Sequence, residues 1–197
     1  MSPHPDRSCW SLTPGASLQY CQKQWLMRPG PLTTGLRALG TLKLRVIREF
    51  SEGLSPDEAR CLKRPVRSPV WVREVVMSID GVDCVVARSL APLGASHGVW
   101  QGMRRLSSRP LADILYHERS ISRSAFQVAR INHSVPLHRT AQHILSLDQH
   151  LKNPVTLLAR RSVFWRNNYP LLVAECFLPA FWLKTVRADH QQSNVSI

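Results

Sequence analysis

The chain has 197 residues, and its 26 Lys and Arg against 13 Asp and Glu leave a formal net charge of +13. That length suits one domain with a sizeable core. No apolar run approaches the roughly 20 residues of a transmembrane helix, and the opening MSPHPDRSCWSLTPG lacks the apolar centre of a secretory signal, so a cytoplasmic protein without stable membrane insertion is expected. Five cysteines (Cys9, Cys21, Cys61, Cys84 and Cys176) are odd in number and have no close pairs, which points to reduced thiols rather than a disulfide framework or a zinc site. The basic residues are scattered, with local clusters at Arg60 to Arg67, Arg104 to Arg109 and Arg160 to Arg166. None has the glycine-aromatic weave of an RNA-binding strand, and no helix-turn-helix or zinc finger stands out. A positive field of this kind suits the steering of a small anionic substrate, or simply solubility.

In chain order, Met1 to about Gly15 reads as a loose polar tail. Ser17 to Met27 predicts a short helix closed by Arg28-Pro29-Gly30-Pro31, and Leu32 to Ala38 a second helical turn. Thr41 to Phe50 alternates Leu42, Leu44 and Val46 with Lys43 and Arg45, the pattern of a half-exposed strand. Ser51 to Ser68 is a connection with one helical turn after Pro56. Val70 to Leu90 contains two β-branched runs around Asp80-Gly81, a strong hairpin signal. A glycine-containing loop follows from Gly94 to Gly102, and Ser108 with Pro110 starts a helix whose inner side is Leu111, Ile114 and Leu115. Ser120 to Ile131 reads as a strand, and the last two strands span Ser162 to Arg166 and Leu171 to Leu178, joined at Asn167-Asn168. Consecutive hairpins with separate helices predict a single α+β domain, an antiparallel sheet with helices packed on it, over residues 1–197.

Two segments carry the chemistry. In Pro170 to Pro179 one strand face is Leu171, Val173, Glu175 and Phe177, and the other is Leu172, Ala174, Cys176 and Leu178, so Glu175 is a lone carboxylate in a strand buried on both sides. Such a group must be paired, hydrogen-bonded or neutralised. It is either a structural partner of a nearby Arg or a functional group, and a buried structural thiol is the better reading of Cys176 beside it. In the hairpin, a two-residue turn sets Ile79 opposite Val82, Met77 opposite Cys84, Val75 opposite Val86 and Arg73 opposite Arg88. Two facing guanidiniums repel, so the pair implies a shared anion, either Glu175 or a ligand. A longer turn slips the register and removes the argument, and the alternative is that both arginines reach water along their stems. No partner for Glu175 lies on its own strand, which leaves Arg73, Arg88 or a ligand.

The segments WVRE (Trp71 to Glu74), the Asp-Gly turn, ARSLAP ending at Pro92, RPLADIL (Arg109 to Leu115), ARRS (Ala159 to Ser162) and PLLVAECFLP together resemble the bacterial chorismate pyruvate-lyase family, in order, from about Trp25 to Pro179. The resemblance implies an enzyme that removes pyruvate from chorismate to give 4-hydroxybenzoate for ubiquinone. It implies that Arg73 holds the substrate carboxylate, that Leu111 contributes backbone contacts and that Glu175 lies at the hydroxyl end of the product. Leu32 aligns where the family carries a Met, and Arg88 matches a second family Arg. Where the family has a short turn, residues 132–154 form an insertion containing His133, His138, His143 and His150, whose spacing is not that of a metal-binding helix. A surface insertion, helical from Thr140 to Leu151, is expected, with a lid over the site as the alternative.

Arg73 would fix the ring by a bidentate carboxylate contact, Arg88 would neutralise the second carboxylate or the developing enolate, and Glu175, if protonated by burial, would donate to the ether oxygen. No metal, nucleotide or flavin is implied. The expected partners are chorismate and 4-hydroxybenzoate, with no nucleic acid, for a monomeric protein. The alternatives are a non-catalytic small-molecule-binding module of the same fold, as in effector domains that follow a DNA-binding domain, or a basic nucleic-acid-binding protein. Only about 40 residues precede the first strand here, which speaks against the former.

Overall fold

A computed structural model describes residues 9–116, 118–146 and 156–194. The elements run α1 (Tyr20–Met27), α2 (Leu32–Arg37), β1 (Leu42–Gly53), α3 (Pro56–Leu62), β2 (Pro69–Ile79), β3 (Val82–Pro92), α4 (Leu93–His97), a 3-10 turn (Gln101–Arg105), α5 (Ala112–Leu115), β4 (Ser122–Arg123), β5 (Gln127–Ile131), α6 (Pro136–Ser146), β6 (Leu157–Arg166), β7 (Tyr169–Phe177) and α7 (Pro179–Asn194). The seven strands make one antiparallel sheet in the order β1-β2-β3-β7-β6-β4, with β5 also on β6. This is the expected α+β arrangement.

Both tight hairpins turn on residues that accept positive φ: Asp80 and Gly81 between β2 and β3, and Asn167 and Asn168 between β6 and β7. The first differs in one respect from its expected register. Ile79 faces Val82 and Ser78 faces Asp83, but Met77 then faces Val85, so Cys84 is the extra residue of a bulge. The Cys84 carbonyl instead accepts from the amide of Leu178, at the end of β7, at 2.9 Å. Every pair beyond the bulge is shifted by one: Val75 faces Ala87, Glu74 faces Arg88, and Arg73 faces Ser89. The opposed arginines do not form, because the bulge replaces a like-charge pair with an attractive one.

The sheet is covered on both faces. One face carries Leu26 of α1, Leu32 and Leu36 of α2 and Phe181 of α7 against Val75, Met77, Val85 and Phe177. The other carries α6, through Leu137, Ala141 and Ile144, against Val76, Val86, Ala174 and Cys176. The apolar residues of α6 recur at helical spacing, so this part of the insertion is an amphipathic helix docked on the sheet. Residues 147–154 of the insertion, His150 among them, lie outside the described residues. Residues 9–11 are also docked and not loose: Trp10 is buried, and Ser11 exchanges two backbone hydrogen bonds with Val128.

Helix α7 has no counterpart among the expected elements; its Phe181 packs edge-on against Trp25. Strand β6 begins five residues before the expected Ser162, and the expected strand over Ser120 to Ile131 is two short pieces. No helix among the described residues is long and apolar enough to cross a membrane.

Candidate active site

On the face covered by α1, α2 and α5, the strands leave a cavity with about 620 Å³ of unoccupied space, its mouth and the adjoining solvent included. Strand alternation selects what borders it: Arg73, Val75 and Met77 from β2, Ala87 and Ser89 from β3, Val173 and Glu175 from β7, and Arg160, Ser162 and Phe164 from β6. Leu32 from the start of α2 and Leu111 from the start of α5 close it above. Four of the five site residues expected from sequence (Arg73, Leu111, Glu175 and Leu32) therefore border one space.

Arg73 is 2% exposed. Its Nε donates to Glu49 Oε1 at 3.0 Å, and its Nη2 donates to the carbonyls of Ser107 (2.6 Å) and Arg109 (3.2 Å), tying the strand to the segment that presents Leu111. Nη1 has no hydrogen-bond partner among the described residues. Burial presses this guanidinium below its ordinary value and Glu49 acts against that, so an anionic ligand at Nη1 would relieve a desolvated charge. The carbonyl of Leu111 accepts from the amides of Ile114 and Leu115, so the backbone group it offers a ligand is its N–H. Across the mouth, the Tyr116 hydroxyl donates to the Gly30 carbonyl at 3.1 Å, joining the α5 segment to the α1–α2 connection.

Glu175 takes a partner that the sequence reading passed over. It faces Arg160 across the β6–β7 ladder, and Arg160 Nε donates to Glu175 Oε2 at 2.6 Å. Arg160 is 1% exposed. Its guanidinium stacks over Phe126 at 4.4 Å, and its Nη1 donates to the carbonyls of Trp25 (3.2 Å) and Arg28 (2.9 Å) at the C-terminal end of α1, where unsatisfied carbonyls collect. The signal was a period-two pattern running back through Leu158, Arg160, Ser162 and Phe164. Starting the strand at Ser162 hid it.

Arg88 is not in the cavity. After the Cys84 bulge it projects from the opposite face, where Nε donates to Glu58 (2.7 Å), Nη1 to Glu74 (2.7 Å) and Nη2 to Glu52. Glu74 also receives Arg48 at 2.5 Å and the Thr140 hydroxyl of α6 at 2.7 Å. Burial alone would lower the pKa of Arg88, but Glu58 and Glu52 outweigh it and hold the guanidinium above its ordinary value. The expected role of Arg88 at the second carboxylate is therefore withdrawn: all three of its nitrogens are spent on protein carboxylates. Thr140 places α6 on this far face, so the helix is no lid over the cavity. Cys176 also faces away from the cavity, and full burial drives its thiol pKa upward, which disfavours the thiolate a nucleophile needs.

A buried cluster of this kind punishes removal of its centre. Arg88→Met should destabilise the fold by about 3–5 kcal/mol, because Glu58 would be left buried without its cation and Glu74 with Arg48 alone. Ligand affinity of the molecules still folded should change little. Urea unfolding monitored by tryptophan fluorescence checks this; a loss under about 1 kcal/mol would mean that the cluster is solvated.

The far-face cluster thus serves the fold, while the cavity presents an arginine with unfilled donors, an ion-paired carboxylate, and otherwise mainly apolar walls. That arrangement defines a small-molecule site suited to a carboxylated ring with a polar group opposite the carboxylate. The matching family model is chorismate lyase, over residues 5–187, and the chain belongs to that family. It is 56% identical over 181 residues to a "Probable chorismate pyruvate-lyase" of Bordetella pertussis, covering 92% of this chain and 94% of the relative. A "Probable chorismate pyruvate-lyase 1" of Pseudomonas fluorescens is 39% identical over 184 residues, covering 93% and 96%. Among solved structures, the effector domain of PhnF from Mycobacterium smegmatis superposes with a TM-score of 0.51 at 14% identity, over 77% of this chain and 90% of that one. That likeness is of fold alone.

Proposed function

We propose that this chain is a chorismate pyruvate-lyase, forming 4-hydroxybenzoate and pyruvate, with ubiquinone biosynthesis as its setting. The observation that carries the reading, given the family, is that Arg73 and Glu175 border one cavity whose other walls are mainly apolar. Arg73 takes the ring carboxylate through Nη1, and the Leu111 amide adds a backbone donor. Both groups sit on segments that Arg73 itself ties together, so the carboxylate site is pre-organised.

The reaction cleaves the ether C–O bond, and the ring carbon bearing the hydroxyl loses its hydrogen as a proton. That C–H electron pair completes the aromatic ring, and the enolpyruvate released takes up a proton to become pyruvate. Aromatisation supplies the driving force, so the protein has to orient the ring, exclude water and accommodate the moving proton. Glu175, bonded to Arg160, meets the substrate as a carboxylate. We therefore assign it to accept at the hydroxyl end of the ring, in place of the acid role expected from burial. Leu32 and Leu111 supply apolar cover, and Leu32, close in volume to the family's Met, leaves that wall apolar.

Two arginines and a carboxylate are not a donor set for a divalent ion, and among the described residues no three His, Cys, Asp or Glu come together as one. Turnover without added cofactor follows from the reading, as do a monomeric state, a cytoplasmic location and the absence of a nucleic-acid partner. The direct test is release of 4-hydroxybenzoate and pyruvate from chorismate by purified protein in EDTA.

A further inference from the structure

We infer that Arg160 reads the second, non-ring carboxylate of the substrate through its Nη2, so that it sets the preference for a dicarboxylate over a monocarboxylate ligand. The inference rests on the lyase reading for the identity of the substrate.

Arg160 has three nitrogens, and the structure accounts for two. Nε is taken by Glu175 and Nη1 by two carbonyls of the α1 terminus. Nη2 has no acceptor among the described residues. It is also not sealed away, because the one buried side-chain polar atom without a partner among the described residues is Trp71 Nε1. In a residue that is 1% exposed and borders the cavity, the remaining access of Nη2 is to the cavity. A buried guanidinium N–H without an acceptor is costly unless a ligand supplies one.

The position fits. Arg73 and Arg160 stand on β2 and β6, separated in the sheet by β3 and β7, so one carboxylate is not shared between them. A ring held by Arg73 at its carboxylate and by Glu175 at its hydroxyl brings the neighbouring ring carbon, which carries the enolpyruvyl ether, to the Glu175–Arg160 end. Its carboxylate is one short arm from that carbon. The hydroxyl of Ser162, two residues along β6 on the same face, borders the same region. Arg160 rather than Arg88 then supplies the second cation that a dianionic substrate requires. Because Nε is held by Glu175 and Nη1 by backbone, the free N–H groups are fixed in direction before the substrate arrives.

The test compares two ligands that share a skeleton and differ in one carboxylate: 3-(carboxymethoxy)-4-hydroxybenzoate and 3-ethoxy-4-hydroxybenzoate. Calorimetry on the wild-type protein should show the dicarboxylate bound at least about tenfold more tightly, the size of one charged hydrogen-bonded contact. In Arg160→Lys, which keeps a cation beside Glu175 but loses the fork, the preference should fall to within about threefold while affinity for the ethoxy compound is retained. KM for chorismate should rise by about tenfold or more. Equal loss of affinity for both ligands would show that Arg160 only holds Glu175 and would overturn the inference. So would the absence of a preference in the wild-type protein, a measurement that needs no variant to fold. Chorismate turnover is scored separately: a dicarboxylate preference without turnover would leave Arg160 as a binding residue and remove the lyase reading alone.

Discussion

Arg73→Ala is expected to weaken 4-hydroxybenzoate binding by about 2–5 kcal/mol, the usual cost of truncating one member of a buried charge pair. The magnitude follows from how this guanidinium is held. It is 2% exposed, its Nε and Nη2 are bound to protein acceptors, and the nitrogen left for a ligand lies where no water competes well. Glu49 is partly exposed and can rehydrate when Arg73 is removed, so the fold should suffer much less than in Arg88→Met. Arg73→Lys should rescue poorly, because one ammonium cannot hold the Ser107 and Arg109 carbonyls and a carboxylate together. Titration of folded Arg73→Ala with 4-hydroxybenzoate checks this, and wild-type affinity there would remove Arg73 from the site.

The second large effect is expected at Glu175. Glu175→Gln keeps the shape and retains an acceptor for Arg160 Nε, while the Trp25 and Arg28 carbonyls continue to hold Nη1. A cooperative melting transition should therefore survive. Turnover should fall by about 10²–10⁴, the range for a positioned acid or base. The discriminating measurement is kcat at a temperature where the variant is fully folded. Activity that disappears only as the fold melts would make Glu175 a structural partner of Arg160 and nothing more. A fall within about tenfold would leave orientation by Arg73 and exclusion of water as the main sources of rate.

Local patterns made much of this molecule legible. The Asp80-Gly81 and Asn167-Asn168 turns, the alternation in β1, and the lone carboxylate of β7 are all properties of short windows, and the fold class follows from their order. What escaped were features set by pairing between distant segments. The Cys84 bulge depends on the amide of Leu178, which no window around the hairpin contains. It moved Arg88 to the far face. The repulsion between facing Arg73 and Arg88 was itself a sign that the simple register was unfavourable, and Glu74 next to Arg73 was the partner one residue away. Arg160 was visible only in a basic cluster and in the ARRS segment, with no role attached, because a guanidinium inside an apolar strand reads as an end to that strand unless its carboxylate is known to lie opposite. Helix α7 went unread although Phe181 lies in the core, since its pattern of apolar residues past Pro179 is short. In the site, four of the five residues aligned by family resemblance border the cavity and Arg88 does not; Ser89 and Ser162 lay inside the ARSLAP and ARRS segments with no role attached to them, and Tyr116 lay just past RPLADIL.

This cavity is expected to convert a dianionic cyclohexadiene into an aromatic product with its own side chains alone. The most direct measurement follows 4-hydroxybenzoate and pyruvate together after mixing purified protein with chorismate in EDTA. Both products should appear in a one-to-one ratio, at a rate unchanged by added divalent ions. Loss of activity on chelation that a divalent ion restores, or a well-folded protein that binds 4-hydroxybenzoate yet releases no pyruvate, would contradict that expectation.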